Sequence, residues 1–140
     1  MTAARASGTD VPSYTETWPC EPESARKVRL LVSSALALWG IAEAAANAEL
    51  IASELATNAI VHSHSRNFQI TIARPDATNV KILVSDTNRE VPEFCGPDEY
   101  AVSGRGLNLV DQLSTKCGYD RKQWGKVVWA ELEVPEVPAR

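Results

Sequence analysis

The chain has 140 residues and a mass of 15.2 kDa, with 44% hydrophobic, 23% charged and 6% aromatic content. That balance belongs to one compact domain, large enough to bury roughly two-thirds of the surface its unfolded chain exposes and to fold without a metal or disulfide. Lys and Arg number 14 against 18 Asp and Glu, so the net charge is −4 and the pI about 5.2, which argues against a sequence-blind grip on nucleic acid or an anionic membrane.

Residues 1–12 are small and polar, with Gly8 and Pro12, and read as a disordered leader; 135–140 read as a tail. The domain is expected between them, over 13–134. No internal repeat or Gly/Ser linker divides it. The opening MTAARASGTD has no apolar segment, and no apolar stretch reaches the length of a membrane span. Cys20, Cys95 and Cys117 are widely spaced, with no C-x-x-C and two histidines in the chain. Reduced thiols in a cytoplasmic protein are therefore expected.

The pattern over 13–18 predicts a strand, and Pro19 and Pro22 precede Ser24 as a helix N-cap. A helix over 24–39 follows, with Val28, Leu31, Val32, Ala35 and Trp39 on one stripe and Gly40 closing it. Arg26, Lys27 and Arg29 near its start oppose the helix dipole and suit either a partner or a solvated face. A second, Ala-rich helix is predicted over 43–62. Alternation at Phe68, Ile70 and Ile72, a turn at 76–79, and alternation at Val80, Ile82 and Val84 predict an antiparallel hairpin. A long loop over 87–103, a helix over 105–116 and strands near 118–123 and 126–134 complete the chain. This order suits helices packed on one face of a mixed sheet. Trp39 and Trp129 read as core residues.

On a wheel of the second helix, Leu50, Ile51, Leu55 and Val61 spread over roughly 140°, and Glu54 and Asn58 fall inside that arc. An inward carboxylate and amide one turn apart cost several kcal/mol unless they meet a ligand, a cation or an internal network. Asn offers a neutral oxygen that suits Mg²⁺, and Glu offers a proton acceptor beside it. A satisfied hydrogen-bonded pair is the alternative. His62 reads as a helix-end residue without a catalytic role. In SGRGLNLV, Gly104 and Gly106 flank Arg105 where a helix begins, and amide donors with the dipole's positive end favour a phosphate there. Asp86 ends the strand VKILVSD, where a carboxylate can accept from an exocyclic amine or cap the loop.

Together these residues match a family. ELATNAIVH resembles the N-box of the histidine-kinase-like (GHKL, Bergerat-fold) ATPases, and Asp86 with SGRGL resembles the later adenine-binding and glycine-containing boxes in the same order. Within that family the chain is most similar to small standalone anti-sigma-factor serine/threonine kinases of the actinobacterial ATP-binding regulator type, which share the helix ending L-x-x-W-G, here 36–40. The resemblance covers about 14–134. It implies an α/β two-layer sandwich with a mixed, mostly antiparallel sheet and helices on one face.

It also implies ATP and Mg²⁺ as ligands, with Asn58 on the metal, Glu54 as base for the attacking hydroxyl, and Asp86 accepting from the adenine amine. Gly104, Arg105 and Gly106 would approach the phosphates, Arg29 would contact partner proteins, and 87–103 would form the nucleotide lid. The implied partners are a sigma factor, which the protein sequesters, and a STAS-domain antagonist, which it phosphorylates on serine or threonine; the family is often homodimeric. Two departures stand out. The usual D-x-G-x-G is absent, with Asn88 and Glu90 in the glycine positions, and Val127 stands where many relatives have a threonine that helps hold Asp86 and adenine. A non-catalytic partner-switching module of the same fold and a small acyltransferase binding coenzyme A through SGRGL are the alternative readings.

Overall fold

The computed structural model describes residues 3–5, 11–88 and 105–135. Strands β1 (Ala3–Arg5), β2 (Pro12–Pro19), β3 (Asn67–Asp76), β4 (Asn79–Asp86), β5 (Lys116–Lys122) and β6 (Gly125–Glu133) form one sheet in the order β1-β2-β3-β4-β6-β5. Helices α1 (Glu23–Leu38), α2 (Ala45–His62) and α3 (Arg105–Leu113) complete the fold, and a single 3-10 turn, Ala42–Ala44, leads into α2. Every strand pairing among the described residues is antiparallel, in keeping with the mostly antiparallel sheet that the resemblance implies. Ala3–Arg5 pairs with Pro12, Ser13 and Tyr14 at the sheet edge, inside the segment that reads as a disordered leader.

One face of the sheet makes the core. Phe68, Ile70 and Ile72 of β3, Val80, Ile82 and Val84 of β4, and Val128, Ala130 and Leu132 of β6 are all buried, at the period of two that a one-sided sheet requires. Against them pack Val28, Leu31, Val32, Ala35 and Leu36 of α1 and Ile51, Ala52, Leu55, Ala56 and Ala59 of α2. The result is a two-layer α/β sandwich with its helices on one side. On the opposite face Thr15 and Thr71 share a hydrogen bond of 2.9 Å, and Trp129 lies between the Lys81 ammonium, 4.7 Å from its ring centre, and Gly118. Trp129 is therefore half-buried on the helix-free face rather than in the core, because its parity along β6 is that of Val127 and Glu131.

The helix ends are set by backbone geometry. Pro22, not Ser24, is the N-cap of α1; Ser24 lies within the first turn and donates its hydroxyl to the Pro19 carbonyl at 2.7 Å. At the other end Gly40 adopts φ 75°, and the Ile41 amide donates to Leu36 O at 2.9 Å. This is a Schellman closure, and it buries Ile41 completely. His64, with φ 57°, turns the chain just after α2. Arg74 then donates to the carbonyls of Trp39 and Ala77, tying the end of α1 to the β3–β4 hairpin.

Candidate functional site

Helix α2 buries a stripe of mainly small residues, Ala48, Ile51, Ala52, Leu55, Ala56 and Ala59. Leu50 is 39% and Val61 56% exposed, so the two large aliphatic residues do not lie on the core side. The buried arc is centred on the alanines, which lets α2 approach the sheet and α1 closely. Glu54 and Asn58 consequently sit on the flank of α2, half-buried, one above the other. The inward orientation expected from the wheel is corrected to this edge position. The flank still supplies a carboxylate and an amide oxygen from adjacent turns, a donor pair compatible with one divalent ion that keeps water and phosphate oxygens. Among the described residues no cluster of three or more His, Cys, Asp or Glu could hold a metal by itself.

Asp86 closes β4 and is 4% exposed. Its carboxylate Oδ1 accepts from Lys126 Nζ at 3.1 Å and from the Asn88 amide at 2.8 Å. Lys126 Nζ also donates to the Asn88 carbonyl at 2.9 Å. The two ionic side chains are 5% and 2% exposed, so this is a buried ion pair with each partner further hydrogen-bonded, the condition under which such a pair can be sustained. Lys126 is directly opposite Asp86 in the β4–β6 register, whereas Val127 is opposite Ser85 and its side chain is on the other face of the sheet. Val127 is thus not the residue beside Asp86, and the expectation attached to it is corrected: Lys126 fills that place.

A polar latch extends from this pair to the end of α2. Asn88 Nδ2 donates to the His62 carbonyl at 3.2 Å, and Ser65 Oγ accepts from the Thr87 amide at 2.9 Å while sharing a 2.7 Å contact with Thr87 Oγ1. Cys20 Sγ lies 3.9 Å from Ser63 Oγ in the same region. Burial pushes the Cys20 thiol up, the Ser63 hydrogen bond opposes the shift, and the Asp86 carboxylate adds to it.

The remaining expected residues are placed as follows. Arg105 and Gly106 open α3, the helix beside α2. Gly104 and 89–103, the remainder of the expected lid, lie outside the described residues. Arg29 is exposed on α1, 3.4 Å from Ser53 Oγ of α2. The structure therefore brings Asp86 together with Lys126 and Asn88, and Glu54 together with Asn58. Lys126 is the residue sequence reasoning missed. Its even-numbered parity with Val128, Ala130 and Leu132 was the available signal, since it puts a charge on an otherwise apolar face.

The family model for the histidine kinase-like ATPase domain matches residues 18–132. The chain belongs to this family. Its fold is similar to that in the crystal structure of the RsbU and RsbW domains of Rv1364c from Mycobacterium tuberculosis, with a TM-score of 0.63 and 18% identity over 92% of this chain and 34% of that one. It is also similar to the histidine kinase domain of the blue-light activated histidine kinase EL346 from Erythrobacter litoralis, with a TM-score of 0.51 and 20% identity over 94% of this chain and 65% of that one. The chain thus spans about a third and about two-thirds of these two structures. No curated protein matches it. Among the described residues no helix is long and apolar enough to cross a membrane. Family membership gives the coenzyme A reading of SGRGL no support.

Proposed function

We propose that this histidine kinase-like ATPase domain is a partner-switching regulator that binds ATP with Mg²⁺ beside α2, phosphorylates a serine or threonine of a STAS-domain antagonist, and sequesters a sigma factor. The observation that carries the reading is the pairing of Glu54 and Asn58 on one half-buried flank of α2. Asn58 would hold the metal through its amide oxygen, and Glu54, one turn earlier, would take the proton of the attacking hydroxyl. Bound ATP supplies the γ-phosphoryl group, its bond to the β-phosphate oxygen breaking as the hydroxyl oxygen bonds to phosphorus. Gly104, Arg105 and Gly106 would contact the phosphates where α3 begins, with positioning and charge neutralisation as the main contributions to transfer. Arg29, exposed on α1 near Leu30, which is 59% exposed, would meet the partner proteins, and a homodimer fits the same reading.

The test mixes the protein, radiolabelled Mg-ATP and a cognate antagonist. Glu54→Gln should abolish phosphate incorporation while calorimetry still records Mg-ATP binding. Undiminished transfer by Glu54→Gln removes Glu54 as the base. A second reading, a non-catalytic module of the same fold, is favoured by the Asp86–Lys126 ion pair, which engages one oxygen, Oδ1, of the carboxylate expected to read adenine. Tight partner binding without transfer in the wild type would select it.

A further inference from the structure

We infer that Lys126 is the positioning residue of the base-reading corner: it fixes the Asp86 carboxylate through one oxygen and leaves the other to accept from the nucleotide's exocyclic amine. This rests on the nucleotide-binding reading above, in which Asp86 accepts from that amine, and adds the residue through which Asp86 comes to select it. Both resident donors bond the same oxygen. Lys126 Nζ lies 3.1 Å from Asp86 Oδ1, and the Asn88 amide donates to Oδ1 at 2.8 Å. Among the described residues no hydrogen bond reaches Oδ2, and no buried side-chain oxygen lacks a partner, so Oδ2 is the edge that Asp86 presents to solvent.

A carboxylate turns readily about its Cβ–Cγ bond, and it meets an amine in a productive geometry only when that bond is fixed. Two donors on one oxygen fix it. Lys126 is itself held, because its ammonium also donates to the Asn88 carbonyl at 2.9 Å. It stands directly opposite Asp86 in the register, on a strand paired along both edges, with β4 and β5. The ammonium also offsets the charge of a carboxylate whose side chain is 2% exposed, which a neutral donor in its place would not do. Oδ2 is thus kept as a charged acceptor, and hydrogen bonds to charged acceptors are about twice as strong as neutral ones.

Calorimetric titration of the full chain compares Mg-ATP with the Mg complex of purine riboside triphosphate, which differs from ATP in lacking the exocyclic amine. The wild type should prefer ATP by about tenfold or more, the ratio one hydrogen bond to a charged group produces. Lys126→Met should bring the two affinities within about threefold of each other, while binding the amine-free nucleotide as the wild type does. A lysine that served stability alone would leave the ratio unchanged when replaced, and an unchanged ratio in folded Lys126→Met overturns the inference. NMR of the lysine ammonium groups should show Lys126 still protected from solvent exchange in the wild-type Mg-ATP complex; its release on binding overturns the inference as well. A wild type that binds both nucleotides alike does the same and leaves the nucleotide-binding reading intact. Absence of wild-type binding to either nucleotide overturns that reading and this inference with it. Circular dichroism establishes whether Lys126→Met folds; if it does not, the wild-type ratio and the ammonium signal decide.

Discussion

Asp86 and Lys126 face one another across the β4–β6 ladder, and their buried side chains meet at 3.1 Å. Both side chains are almost wholly removed from solvent, so each charge is offset by the other and by the Asn88 backbone.

Lys126→Met should therefore cost about 3–5 kcal/mol in urea denaturation, since it leaves a carboxylate buried without its counter-charge. Combining it with Asp86→Asn should cost less than the sum of the two single changes, with a coupling of about 1–3 kcal/mol. Strictly additive losses would show that the pair is not the stabilising unit described.

Gly125 is required by the close approach of β6 to the end of β4. A Cβ there would stand 1.9 Å from the Asp86 carbonyl oxygen and 2.7 Å from the Thr87 Cα, both backbone atoms. Gly125→Ala should thus lose at least about 1–3 kcal/mol, the range for forced overpacking. Gly118→Ala is the comparison, because its Cβ would meet the Trp129 side chain at 3.0 Å and a side chain on the helix-free face can give way. Equal losses for the two, measured by thermal and chemical denaturation, would contradict the distinction.

The Asp76 carboxylate organises the β3–β4 turn. It accepts from the Thr78 amide at 2.9 Å, from the Thr78 hydroxyl at 3.1 Å and from Asn79 Nδ2 at 2.9 Å. The Thr78 amide, followed by the Asn79 side chain, holds it below the usual carboxylate range. A carboxyl more acidic in the folded state than in the unfolded one stabilises the fold above its unfolded value, and that contribution fades as pH falls through the folded value. Asp76→Ala should lower the Tm at pH 7, and the gap to wild type should narrow as pH drops below 3.8. Melting curves from pH 7 to about 2 check this, a constant gap being the contrary result.

Most of the architecture was legible because it rests on period. The alternation at Phe68, Ile70, Ile72, Val80, Ile82 and Val84 names the buried face, and Gly40 marks the end of α1 through its positive φ. The orientation of α2 was harder to read. The wheel was centred on its large aliphatic residues, but Leu50 and Val61 are exposed and close packing selects the alanine side, which moves Glu54 and Asn58 to the rim. Ala3–Arg5 could not be foreseen from composition, because its strand depends on pairing with β2 and not on a local signal. The Asp86–Lys126 pair was readable in principle. Asp86 continues the buried parity of Val80, Ile82 and Val84, and Lys126 that of Val128, Ala130 and Leu132, but only the β4–β6 register shows that the two odd members coincide.

Asn88 serves two elements at once. Its side chain secures the last turn of α2 through the His62 carbonyl, while its backbone carbonyl receives the Lys126 ammonium. A molecule that pried Lys126 loose would therefore pull on the rod that carries Glu54 and Asn58, and a rotation of that rod would tug in return on the charge at the strand end. Asn88 and the Ser65–Thr87 contacts thus fasten the end of α2 to the strand end that carries Asp86.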